Sequence, residues 1–245
     1  MEKQEHLKKI FNKRANDEQI IRQKIKSGEN SEWYVSFLEG ANIIYAIYSM
    51  YAEKNFVDGK RHFFHAALVA EYMIVNYDTR IIDSGINQVS YALLSDNTEL
   101  IQRYSTLKNK VNNETGIGFQ VVNAIQNILL DNFDMLEQNI TNISRLVKVP
   151  RFKWWEPFPE LFLGFLNRDR DIIENILQTL LQTHKKRNTD PLISRFFSTD
   201  TAGLCKLAWL KGMEIDLKNT LVPTELMHIR PLEKYEPYKI LLEIK

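Results

Sequence analysis

The chain has 245 residues, with 32 basic and 31 acidic side chains giving a net charge of +1. That balance excludes a strongly basic nucleic-acid binder and an acidic nucleic-acid mimic, and it leaves little charge for steering a partner. Apolar residues at 44% exclude a disordered chain, and only 9 Gly and 7 Pro imply few turns and long helices.

The first 30 residues alternate charge with Leu7, Ile10, Phe11, Ile20, Ile21 and Ile25. This predicts an amphipathic helical segment interrupted near Asn16 and Asp17. The segment lacks the apolar core of a signal peptide. A break at 26–32 follows, where Asn30 or Ser31 is placed to cap the next helix. Residues 31–77 read as a long helix pair turned at 55–60. Its most apolar run, 41–52, is about a dozen residues against the ~20 that span a bilayer. A cytoplasmic protein with no membrane partner is therefore expected. The single cysteine, Cys205, precludes an intrachain disulfide and agrees with a reducing compartment.

From residue 78 a rhythm begins. The stretches "LLSDNTEL" at 93–100, "LLDNFDML" at 129–136 and "FLNRDRDI" at 165–172 each place an apolar pair before a short Asp/Asn-rich break. Spaced about 36 residues apart, they predict three helical hairpins over 78–187, each hairpin burying its apolar faces against the next. The first helices are expected at 81–94, 117–130 and 155–166, and the second at 99–111, 134–149 and 169–184. Acidic residues such as Glu99, Asp134 and Asp169 open the second helices, where they suit the positive end of the dipole. Chance recurrence in a helical protein is the plainer alternative. Residues 188–245 then hold one more helix, with Ser198 or Thr199 as N-cap and Gly212 at its end. The tail after it is irregular, and Tyr238 to Lys245 is the one candidate strand. The expected fold is a single all-α domain, an α-solenoid-like array of stacked antiparallel hairpins.

No chemistry emerges from spacing. His62 and His65 share a helix face, but further ligands at recognisable spacing are missing, so a hydrogen-bonded structural pair is expected and no metal. Cys205 sits among Leu204, Leu207 and Ala208, as a small core residue does. The glycosylation patterns at Asn113, Asn139 and Asn142 read as unused without a secretion signal. Lys185, Lys186 and Arg187 sit where cations favour a helix C-terminus. The pattern predicts no catalytic residues, no cofactor and no nucleic-acid partner, and leaves self-association open.

The segment "RFKWWEPFPE" at 151–160 is the exception. Adjacent helical side chains diverge by about 100°, so Trp154 and Trp155 cannot both enter one core. One is expected to pack between hairpins and the other to face outward. Flanked by Arg151, Lys153 and Glu156, the pair is the candidate partner-binding site.

The order of segments from "WWEPFPELFLGFLNRD" through "ILQTLLQTHKKR", "DPLISRFFSTD" and "TAGLCKLAWLKGMEIDL" to "LVPTELM" resembles bacterial polymorphic-toxin immunity proteins. The likeness is greatest to the immunity protein forty-nine family, over roughly residues 150–227, and is looser from Tyr45 to Leu94. The bulk of 204–210 and the basic run at 185–187 depart from its pattern. The resemblance implies an all-helical antidote of interbacterial competition, without catalytic groups, that binds and blocks a cognate toxin domain. The alternatives are a helical-repeat scaffold or adaptor for a peptide or regulatory partner, and an enzyme or metal protein built on His62 and His65.

Overall fold

The computed structural model describes every residue except 1, 30, 78, 80, 84, 189, 191, 192 and 245. Its residues are 72% helical and no strand occurs among those described, so the fold is all-α. α1 (Glu2–Lys26) runs unbroken through Asn16 and Asp17, contrary to the interruption expected there. Glu18, one residue further, turns inward and accepts from the hydroxyls of Tyr45 at 2.5 Å and Tyr238 at 2.9 Å and from Arg22 Nε at 2.7 Å. The polar stretch thus docks the helix instead of ending it. Of the two expected caps Asn30 lies outside the described residues, while Ser31 accepts from the Tyr34 amide at 3.3 Å.

α2 (Glu32–Tyr51) and α3 (Phe56–Tyr77) pack along their lengths. The first of the three expected hairpins is shorter than its pattern. A 3-10 turn at Ile81–Asp83 precedes α4 (Ile86–Leu94), and α5 (Thr98–Tyr104) stops well before Val111. The reason lies in the asparagines beyond it, which compete with the helix for backbone partners. Asn109 accepts from the Ile82 amide at 3.2 Å and donates to Asp83 at 3.2 Å, and the Asn113 amide donates to Asp83 at 3.0 Å. Gln126 donates to the carbonyls of Tyr104 and Leu107 that the helix end leaves open.

α6 (Ile117–Leu129) and α7 (Phe133–Leu146) form the second hairpin, and α8 (Phe158–Asn167) and α9 (Arg170–Arg187) the third. Trp155 does not begin α8; it ends a 3-10 turn at Pro150–Trp155, and α8 starts after Pro157. Then follow α10 (Ile193–Phe196), α11 (Thr199–Leu210), α12 (Thr224–Met227) and α13 (Lys239–Leu242). In the candidate strand at 238–245, Lys239–Leu242 form this last helical turn instead, and residue 245 lies outside the described residues. Ile240 is buried with Ile21, Ile25, Val35 and Leu38 of the helices at the other end of the chain. A strand there would leave its backbone without a ladder partner.

The repeat proves to be a corner chemistry. Asp96, Asp131 and Arg168 all adopt left-handed backbone, with φ of 58°, 54° and 55°. The next residue in each case, Asn97, Asn132 or Asp169, accepts from the amide three positions on, at 2.7, 3.4 and 3.1 Å. One residue ends a helix and the following one caps the next. Lys54 (φ 57°) and Asn55 make a fourth such corner between α2 and α3. It has Tyr51 and Ala52 where the other three corners have a large apolar pair.

All three repeat corners dock on α11. Lys206 places Nζ 2.5 Å from Asp96 Oδ1, Lys211 places Nζ 2.7 Å from Asp131, and Arg168 donates to the Lys211 carbonyl at 3.1 Å. Gly203 permits the contact of α11 with α4, since a Cβ there would lie 2.0 Å from Ser90 Oγ. Gly212, with φ 78°, ends α11 as expected. The Asp96 carboxylate is fully buried and also meets Lys60 of α3. The two ammonium groups donate in addition to the carbonyls of Leu226, Met227, His228 and Arg230, which fixes the tail.

Burial pulls Lys206 down from its ordinary 10.5 to about 8, with Asp96 opposing the shift. Asp96→Asn leaves two buried cations unpaired and should lose about 3–5 kcal/mol in urea unfolding. Lys206→Met leaves the Lys60–Asp96 pair intact and should lose less than about 1.5 kcal/mol. Because the folded pKa is below the unfolded one, the unfolded state binds more protons between about pH 8 and 10. The wild type should therefore gain stability relative to Lys206→Met as pH rises through that window. Equal losses for the two variants would contradict the assignment.

Candidate functional site

The N-terminal end of α11 forms one wall of a cleft of about 620 Å³, within the range of ligand-sized sites. Ile86, Asn87 and Tyr91 of α4 line it, with Trp154, Trp155 and Phe158 opposite. The end of α9 contributes Lys186 and Arg187, followed by Asn188 and Asp190, and α11 contributes Thr199 and Asp200. Two segments that stand apart in the sequence, the double tryptophan and the basic end of α9, thus meet around one space.

The tryptophans divide as their adjacency requires, although in a 3-10 turn instead of an α-helix. Trp154 is 53% exposed. Trp155 is half-buried against the core, its ring 5.0 Å from that of the fully buried Phe158. Arg151 lies over the Phe152 ring at 4.6 Å, and Lys153 pairs with Glu156 at 2.7 Å. These three charged residues are exposed on the turn and do not line the cleft.

The basic run is not uniform. Arg187 turns inward, forms an ion pair with Asp200 and donates to the Leu180 carbonyl at 2.7 Å; burial lowers its pKa to about 10. Asp200 also accepts from Ser198 at 3.0 Å and from the Thr201 amide at 2.7 Å. Lys185 and Lys186 remain exposed. Tyr91 is buried, its ring stacked at 6.2 Å on Phe63, and burial raises its phenol pKa. Sequence reasoning missed Ile86, Asn87, Tyr91, Asp190, Thr199 and Asp200. Their convergence depends on the α4–α11 crossing, for which the sequence offers only the small residues around Gly203.

The other candidates are structural. His62 faces Asn42 Oδ1 at 3.3 Å, and His65 faces the Glu236 carbonyl at 3.1 Å while stacking on Tyr238. Burial lowers His62 to about 4. Among the described residues no group of three or more His, Cys, Asp or Glu is placed to hold a metal. Cys205 is buried beside the Ile215 carbonyl, and burial pushes its thiol up to about 12. Asn139 is buried in an amide network with Gln120, Asn123 and Asn127, out of reach of a glycan. No helix among the described residues is long and apolar enough to cross a membrane.

Fold and site together define an all-α protein of docked hairpins that carries an aromatic and ionic cleft. The chain belongs to the Immunity protein 49 family, whose model matches residues 50–226 and so contains every cleft residue. No curated protein and no solved structure matches it.

The geometry predicts unequal effects at the two tryptophans. Trp155→Ala should destabilise by about 1–3 kcal/mol, the worth of a partly buried large side chain. Trp154→Ala should stay within about 0.5 kcal/mol. Urea titrations measure both, and equal losses would show that the turn packs differently.

Proposed function

We propose that the protein is an antidote that binds a cognate bacterial toxin domain in the cytoplasm and neutralises it by contact, without catalysing a reaction. The observation that carries this reading is the family match over residues 50–226. The exposed Trp154 on the 3-10 turn supports a contact site at Arg151, Lys153, Trp154, Trp155 and Glu156. Aromatic anchors with a charged rim are the usual centre of a protein interface. The near-neutral net charge fits binding that rests on such a patch more than on steering. A helical-repeat scaffold is less well supported, because α11 occupies the side on which the three repeat corners converge.

The test is a titration with the C-terminal domain of the protein that the neighbouring gene encodes. The wild type should form a stoichiometric complex whose association slows only modestly between low and physiological salt. Trp154→Ala should weaken the complex by about 2 kcal/mol or more, roughly thirtyfold. Failure of the wild type to bind that domain overturns the reading, and wild-type affinity in Trp154→Ala moves the contact site elsewhere.

A further inference from the structure

The cleft beside Trp154 carries a more specific inference, which rests on the antidote reading. Its apolar part is formed by Ile86, Trp155 and Phe158, with the half-exposed Trp154 at the edge. Its anionic groups are already engaged. Asp200 is held by Arg187, Ser198 and the Thr201 amide, and Asp190 is itself partnered. Arg187 is spent on Asp200 and the Leu180 carbonyl. The positive end of the α11 dipole faces the same Asp200, so that wall offers an incoming anion nothing further.

What remains is cationic. Lys186 lines the cleft and is exposed, next to the exposed Lys185, and neither makes an ion pair with a described residue. The buried Tyr91 lines the same cleft, where burial raises its phenol pKa and the Asp190 carboxylate adds to the rise. The Lys186 ammonium, a three-fold donor, therefore borders an aromatic space as the cleft cation that no described carboxylate pairs, whereas Arg187 is held by Asp200. An aromatic or large apolar side chain satisfies the ring walls, and a carboxylate beside it satisfies the ammonium.

We propose that this cleft receives a short segment of the toxin in which an aromatic or large apolar side chain is flanked by carboxylates. The ring lodges between Ile86, Trp155 and Phe158 with Trp154 closing over it, and a flanking carboxylate meets Lys186. The volume of about 620 Å³ holds a side chain together with adjoining backbone. The segment is thus a turn or chain end and not a single isolated side chain.

The probe is acetyl-Glu-Phe-Asp-amide, added to the full chain while the indole N–H resonances of the four tryptophans are followed. The signals of Trp154 and Trp155 should move saturably, with a dissociation constant on the order of 1 mM or tighter, while those of Trp33 and Trp209 stay in place. The neutral acetyl-Gln-Phe-Asn-amide should bind about two- to fivefold more weakly, the worth of a part-exposed ion pair. In Lys186→Met, an exposed position whose change leaves the core untouched, the charged and neutral peptides should bind alike. Replacing the peptide's Phe by Ala should abolish saturable binding. No saturable shift up to about 10 mM, equal movement of all four indoles, or no preference for the charged peptide in the wild type overturns the proposal. Those results, obtained with a protein that still binds its toxin, refute the cleft assignment and leave the antidote reading standing.

Discussion

A fully buried carboxylate between two lysines ties together α3, the corner between α4 and α5, α11 and the tail. Asp96 stands at a left-handed corner between α4 and α5, and its oxygens meet Lys60 from α3 and Lys206 from α11. The carbonyls of the tail complete the coordination of both ammonium groups. Such a cluster contributes little net stability compared with an apolar core, because three charges leave water. Its effect is on specificity. It forces one register of α11 against α4 and one path for the tail, since any shift would leave a buried charge unpaired. Lys211, the residue that caps the end of α11, ties in the other two repeat corners, through an exposed pair with Asp131 and through its carbonyl, which accepts from Arg168.

The consequence for the site is mechanical. α11 carries the three corners toward its C-terminal half and a cleft wall at its N-terminus, so the contacts that hold the array also place Thr199 and Asp200 opposite the double tryptophan. The close approach at Gly203 and Ser90 brings Tyr91, the residue after Ser90, to the cleft. The other side is held by Phe158 beneath Trp155 and by Arg187 locked to Asp200. The cleft is thus supported by buried packing and by a part-buried ion pair. A partner that used it would have few side chains to order, which favours affinity.

Much of the fold is legible in the sequence, and the reasons are local. Apolar periodicity marks α2, α3, α6, α8 and α9, whereas α11 is legible from its cap and small residues and is enclosed on nearly every side, with Thr201 to Ala208 all buried. The 36-residue rhythm is legible because a left-handed residue followed by a capping Asn or Asp needs particular residue types. Departures occur where tertiary contacts override a local pattern. Asn109 and Asn113 unwind the end expected of α5, Glu18 rescues α1 from its polar interruption, and Ile240 coils into the second core instead of extending. The site was half legible. Trp154 and Trp155 stand out because neighbours cannot share a core, whereas Lys186 reads as an ordinary helix end, and Tyr91 and Asp200 as an unremarkable core residue and helix start. Only the packing of α11 shows that these residues face one another.

The central claim is that a partner is held by contact at this aromatic turn and cleft, on a framework that does not rearrange to receive it. Hydrogen exchange of the protein alone and in complex with a toxin domain that it binds tests it most directly. New protection confined to peptides covering 150–158 and 180–188, with α3, α4 and α11 exchanging as slowly as before, is the predicted result. Protection confined to α1 and α2, or a general slowing across the array, would place the contact elsewhere or show that binding remodels the fold.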